Sequence, residues 1–358
     1  MNTIGRTYKT TIFGTSHGPA VGCVVHGCPG GIVIMPGKIQ AQLDRRRPGW
    51  SDVSTPRKEK DKLIILSGLL DNKTTGAPIA AIVENKNVDS EAYDVFKTVP
   101  RPGHADYTAS IKYGPHHDHR GGGMFSGRLT IPLVISGSIA MQVLEKEGIH
   151  VAAHSLRIGR VSAKSQPPVP NIERIARKSD VGCADPSIAK LMKAEILDAK
   201  REGDSVGGII ECIATGLPVG VGEPFFDSVE SVLSHLLFSI PAVKAVEFGA
   251  GFRVAEMRGS ENNDQFVIRN GKVVTETNNS GGILGGITNG MPVVVRVAVK
   301  PTPSISKPQR SVNLKDMKET ELQITGRHDP CIVPRAVPVV ESVVAMGLLD
   351  LMLTGGLI

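Results

Sequence analysis

The sequence predicts an α+β fold in which antiparallel sheets cover a helical core. Three observations carry that prediction. Helices and hairpins alternate without a regular strand–helix–strand beat, which argues against a doubly wound dinucleotide-binding layout. One-faced apolar periods occupy several separate segments. Short Val- and Ile-rich runs end in turn residues, most clearly at Asn270-Gly271. No internal repeat or low-complexity linker divides the 358 residues, so a single composite domain spanning 1–358 is expected.

The elements follow in chain order. A helix is expected from Pro132 to Glu147, with Gly137 inside it and Gly148 ending it. Ile188, Leu191, Met192 and Ile196 give a second helix, Ile188 to Lys200, with Gly203 as its stop. Gly208 to Ala214 reads as a strand. Ser228 to Ile240 carries apolar residues at Val229, Val232, Leu233, Leu236, Leu237 and Ile240, the spacing of a one-faced helix, with Asp227 and Glu230 as a capping pair. Phe266 to Ile268 and Lys272 to Thr275 form a hairpin, and Pro292 to Lys300 a Val-rich strand. The helix Val339 to Leu353 is almost uncharged and should be deeply buried or face a partner. Thr55 to Lys62 and Ser165 to Pro170 read as surface loops.

Composition narrows the function classes. Hydrophobic residues make up 41% and charged residues 21%, as in a soluble globular protein, while aromatic residues supply only 4%. Base-stacking nucleic-acid modules lean on exposed aromatics, and a net charge of +6 is mild for this size, so no nucleic-acid partner is expected. The N-terminus lacks a basic stretch followed by an apolar run, and Gly, Pro or charge interrupts the apolar patches before 18 residues; a cytoplasmic protein without a membrane span is expected. Five cysteines without a CxxC pair fit reduced thiols.

Several segments carry chemistry. In Phe13-Gly14-Thr15-Ser16-His17-Gly18, flanking glycines let the chain turn sharply and present an imidazole that gives a proton near neutral pH, or else hold a structural histidine. Arg45, Arg46 and Arg47 fan around the end of a helix stopped by Pro48; they read either as forks for phosphate and carboxylate or as a solvated basic patch. Pro100 to Gly103 stiffen the approach to His104. Gly121-Gly122-Gly123, followed by Ser126-Gly127-Arg128, reads as backbone packed against a flat or anionic ligand. The glycines from Gly281 to Gly290 lack a following Lys-Ser or Lys-Thr and form no P-loop. Lys300-Pro301-Thr302-Pro303-Ser304 offers a lysine and hydroxyls to a phosphate, or is a plain strand-end turn. In Gly326-Arg327-His328-Asp329-Pro330-Cys331, Arg327 and Asp329 share a face of an extended segment, as an anion contact and a base, or as a surface ion pair.

Taken together and in this order, these segments resemble the signatures of the chorismate synthase family, as do Arg201 to Gly208 and Gly216 to Pro224. The resemblance runs from Thr3 to Leu353. It implies a β-α-β sandwich protomer, a homotetramer, and the 1,4-elimination of phosphate from 5-enolpyruvylshikimate 3-phosphate to give chorismate. That reaction requires reduced FMN without net redox change. The reductant is left open between NADPH and an external flavin reductase. Carried over by position, His17 is the expected proton donor to the departing phosphate, and His104 is expected beside the reduced flavin. Asp329 is expected to work with the flavin in removing the C6 proton. Arg45, Arg46, Arg47, Arg128 and Arg327 are the expected substrate contacts. Ser126, Ala242, Gly285, Lys300, Thr302, Ser304 and Arg327 are the expected flavin contacts, and no metal is implied. The chain departs from the family's common pattern at Thr15, Asp52, Met124, Phe125, Leu129 and Pro241.

Overall fold

The computed structural model describes residues 2–49, 53–54, 59–86, 90–324 and 328–358. Its α-helices are α1 (Pro36–Arg46), α2 (Asp106–Tyr113), α3 (Thr130–Lys146), α4 (Val169–Ile175), α5 (Pro186–Arg201), α6 (Val229–Leu237), α7 (Gly259–Asn262) and α8 (Val333–Thr354). One five-stranded sheet runs, in spatial order, Thr3–Ile4, Lys9–Gly14, Ala20–His26, Ile79–Glu84 and Ile64–Ile65. A second runs Val243–Phe248, Val293–Val299, Gly208–Thr215, His150–Ile158 and Val161–Ser162. All pairings within both sheets are antiparallel.

Helix α3 packs on the first sheet, α8 on the second, and the two helices pack on each other. The layers are therefore sheet, helices, sheet: the β-α-β sandwich that the resemblance implied. Both central helices are predominantly apolar and buried on nearly every side, as a place between two sheets requires. The segments Gly127–Lys146, which adds the preceding turn to α3, and Val333–Thr354 are long and apolar enough to cross a membrane by composition, although glycine, proline or charge interrupts them, and both are buried inside the protein.

The central helices meet backbone to backbone at Gly137. A Cβ there would lie 2.2 Å from the Cβ of Ser342, so only glycine permits the crossing. Two buried carboxylates on α8 fasten distant chain to this core. Asp350 accepts the backbone N–H groups of Arg6, Thr7 and Tyr8 at 2.8–3.0 Å. Glu341 accepts the N–H of Ala153 at 2.9 Å and Nη1 of Arg45 at 2.5 Å. Each is satisfied by donors, the condition for burying a carboxylate.

The expected elements are present with shifted ends. Helix α3 starts at Thr130 and α5 at Pro186, where the Asp185 side chain caps Ser187 and Ile188. Ser228, not Asp227, caps α6 by accepting the Ser231 N–H, and Asp227 instead meets Arg6. Helix α8 starts at Val333 rather than Val339 and carries Pro338 inside it, because burial on every side outweighs the local cost of a proline. Asn270 and Gly271, at φ 52° and 72°, form the tight hairpin turn between Phe266–Arg269 and Lys272–Thr275. The surface-loop expectation fails at Glu59 and Asp61, which are 7% and 0% exposed. Residues 55–58 and Asp52 lie outside the described residues.

Candidate active site

Loops from both sheets, the C-terminal end of α6 and the first turns of α8 enclose a cavity of about 740 Å³, toward the upper end for ligand pockets. His104, Asp329, Arg46, Arg128, Ser126, Ala242, Lys300, Thr302 and Ser304 all line it. His17 stands directly behind its wall. Ser16, Tyr93 and Gly121 line the cavity, and a Cβ on Gly121 would come 2.4 Å from His17 Nε2. Nδ1 of His17 lies 2.9 Å from Ser90 Oγ, and its ring meets Tyr93 edge-on at 5.3 Å.

The triple glycine makes this close approach possible. Gly121, Gly122 and Gly123 take φ of 59°, 81° and 53°, a run that side-chain-bearing residues rarely adopt. Gly121 backs onto His17, and a Cβ on Gly122 would lie 3.5 Å from His104 Nε2. One bare backbone segment thus separates the two imidazoles.

His104 is oriented by Asp106 and Arg101. Its Nδ1 lies 2.7 Å from Asp106 Oδ1, which fixes the Nδ1–H tautomer and turns Nε2 toward Gly122. Arg101 grips the same carboxylate through Nε and Nη2 at 2.7 and 2.8 Å, and its guanidinium lies over the Phe96 ring at 4.3 Å. Burial alone would raise the Asp106 pKa. Hydrogen bonds from Arg101 and His104 outweigh burial and hold the carboxyl well below the usual carboxylate range. The loop is pinned from the second sheet: Lys300 Nζ donates to the Gly103 carbonyl, and Arg101 Nη1 to Ser304 Oγ at 3.3 Å.

The guanidinium side is balanced by carboxylates behind it. Asp61 lies 2.8 Å from Arg46 Nη1 and 3.2 Å from Arg128 Nη1, and Glu59 lies 3.0 Å from the same Arg128 nitrogen. Burial, reinforced by Arg335 and Arg128, outweighs Asp61 and lowers the Arg46 pKa to about 10. Arg46 remains a cation at neutral pH, locked in place by Thr130 and Gly127 as well. Asp329 pairs with Arg335, whose Nε also donates to the Arg46 carbonyl at 3.0 Å.

Three predicted contacts do not face this cavity within the chain. Arg45 turns the other way, into the buried Glu341, because that carboxylate needs a counter-charge inside the helical layer. Arg47 is the C-terminal cap of α1 and sits half-exposed beside Asp44 at 3.7 Å. Gly285 occupies the tight turn between Ile283–Leu284 and Ile287–Thr288, beside the N-terminal end of α6, where the Val229 N–H donates to the Gly286 carbonyl at 3.0 Å. The cavity takes its residues from the opposite end of that helix, Phe238 to Val243. Arg327 lies outside the described residues.

The cavity fits a large polar ligand. Thr302 Oγ1 is buried with no hydrogen-bond partner among the described residues. Ala242 holds φ 74°, a conformation costly for any side-chain-bearing residue, kept in place by the Lys300 N–H on its carbonyl at 2.9 Å. Among the residues that depart from the family pattern, Met124, Phe125 and Pro241 line the cavity, whereas Leu129 is buried in the core. Sequence reasoning left Arg101, Asp106, Glu59, Asp61 and Arg335 without roles; the legible signals were an acid two residues after His104 and a cation opening an apolar helix.

A sandwich that places His104, several guanidinium groups and a carboxylate on one cavity, with His17 behind its wall, has the character of an enzyme site for an anionic ligand. The family model described as chorismate synthase matches residues 8–353. The chain is 51% identical over 357 residues to the chorismate synthase of Methanocella arvoryzae, covering 100% of this chain and 95% of that protein. It is 53% identical over 346 residues to that of Pyrococcus abyssi, covering 97% and 96%. A solved structure titled "Crystal Structure of Chorismate Synthase" superposes with a TM-score of 0.77 at 27% identity, covering 98% of this chain and 93% of that one. The chain belongs to the chorismate synthase family.

Proposed function

We propose that this cavity binds 5-enolpyruvylshikimate 3-phosphate together with reduced FMN and releases phosphate to form chorismate, the reaction of its family. The C3–O bond to phosphate breaks and the C6 proton leaves, so a 1,4-elimination creates the second ring double bond. The observation that carries this reading is the placement of His104, Asp329, Arg46 and Arg128 on one cavity, with His17 behind its glycine wall.

The roles follow from chemistry and position. Arg46 and Arg128 meet the phosphate and carboxylates of the anionic substrate, with Asp61 and Glu59 fixing their forks. His17 supplies the proton for the departing phosphate from behind the Gly121 backbone, so the transfer needs a path past that segment, and Asp329 takes the proton from C6. His104, held by Asp106, keeps a defined tautomer on the cofactor side. Ser126, Ala242, Lys300, Thr302 and Ser304 would hold the flavin, Thr302 through a hydroxyl that has no partner among the described residues. When bound and reduced, the flavin supplies transient electron density that eases departure of phosphate.

The family reading extends to a homotetramer and to reduction of the flavin by NADPH or by a separate reductase, and a cytoplasmic location is proposed from cysteines that are free and buried. Anaerobic phosphate release, measured with and without reduced FMN, tests the function. Release that needs reduced flavin but leaves it reduced after many turnovers is expected. Stoichiometric flavin oxidation would mean an oxidoreductase instead. Asp329→Asn is expected to bind FMN and substrate normally and lose turnover; a change in affinity alone would assign Asp329 to binding.

A further inference from the structure

Arg335 is a cavity guanidinium to which the reaction above gives no role. From Val333 to Met352, every residue of α8 is buried except Arg335. It stands in the helix's first turn, where a cation opposes the helix dipole at a typical cost of about 0.3–1 kcal/mol. A cation there breaks a local rule, and such breaks are expected at functional sites.

Its side chain satisfies the opposite end of another helix. Nε donates at 3.0 Å to the carbonyl of Arg46, the last residue of α1, where the helix dipole is negative. Nη1 donates to Oδ2 of Asp329. The pair is largely shielded from water, with the two side chains 18% and 10% exposed, and both residues line the cavity. A planar fork spanning a carbonyl and a carboxylate fixes both in a way a lysine ammonium does not. The Arg46 side chain reaches the same cavity, so one guanidinium ties the element bearing an anion contact to the carboxylate opposite it.

We propose that Arg335 is a positioning residue for Asp329, holding its carboxylate in register with α1 and the Arg46 side chain. This rests on the reading of Asp329 as the group that receives the C6 proton.

The test is a double-mutant cycle on single-turnover phosphate release with reduced FMN, using Arg335→Met, Asp329→Asn and the double variant of the full chain. Arg335→Met is expected to slow turnover by about 10- to 100-fold with substrate affinity nearly unchanged, and to cost nothing further in the Asp329→Asn background. Arg335→Lys, which keeps the charge but not the fork, is expected to recover only part of the rate. In denaturant unfolding of the ligand-free protein, the double variant's midpoint shift should be smaller than the two single shifts added together. An undiminished loss in the Asp329→Asn background, a loss of substrate affinity alone, wild-type turnover by Arg335→Lys, or additive midpoint shifts would each overturn the proposal. Wild-type turnover by Asp329→Asn would instead remove the reading on which it rests.

Discussion

Asp106 Oδ1 lies 2.7 Å from His104 Nδ1, and that contact decides which imidazole nitrogen faces the cavity. Removing the charge while keeping the shape should scramble the tautomer. Asp106→Asn is expected to lower kcat by about 10²–10⁴, the range general acid–base groups contribute, and to raise KM little. Steady-state kinetics with FMN titration check it; an effect confined to FMN affinity would confine Asp106 to binding.

His17 and Gly121 form a second linked pair. His17→Ala should keep FMN and substrate binding and slow turnover by about 10²–10⁴. Gly121→Ala should reach a similar loss by another route, since its Cβ would press on the imidazole at 2.4 Å from a backbone at φ 59°. Unchanged anaerobic turnover in His17→Ala would take the histidine out of the mechanism.

Arg45 separates stability from binding. Its partner Glu341 is 1% exposed, so Arg45→Ala strands a buried carboxylate and should cost about 3–5 kcal/mol. Substrate and FMN affinities of the folded fraction should not change. Denaturant unfolding and ligand titration together check this; weaker substrate binding without lost stability would return Arg45 to the cavity.

Glu211 sets an acid limit on the second sheet. Burial raises its pKa, but hydrogen bonds from His154, Ser165 and the Gln166 N–H, with the Arg296 charge, outweigh burial and hold it at about 2. A depressed carboxylate stabilises the fold fully above its ordinary value of 4.5, and that contribution disappears as pH falls toward 2. It amounts to about 3 kcal/mol. Glu211→Gln should therefore be less stable at pH 7, with a flatter pH dependence between those limits. Urea midpoints at several pH values measure it, and an unaltered slope would contradict the assignment.

Amino-acid order alone determined what depends on near neighbours. Apolar spacing located α3, α5, α6 and most of α8, and Asn270-Gly271 located a hairpin, because helix faces and turns answer to residues only a few positions away. The motif loops likewise announced the family, and they singled out His17, His104 and Asp329 as candidates, of which His104 and Asp329 line the cavity. Tertiary structure decided where each charge points. Arg46 turns to Asp61 and Arg45 to Glu341, although the two arginines are adjacent, because a buried guanidinium goes where a distant carboxylate offsets its desolvation. The same reason buries Glu59 and Asp61 in a stretch that reads as surface loop, and sets Arg335 between Asp329 and the end of α1. Gly137, which by local propensity only weakens a helix, is where the two central helices touch, a contact made by a residue 205 positions away, Ser342, as 342 minus 137 gives. Periodicity is written locally; charge pairing and close packing are settled only when remote segments meet.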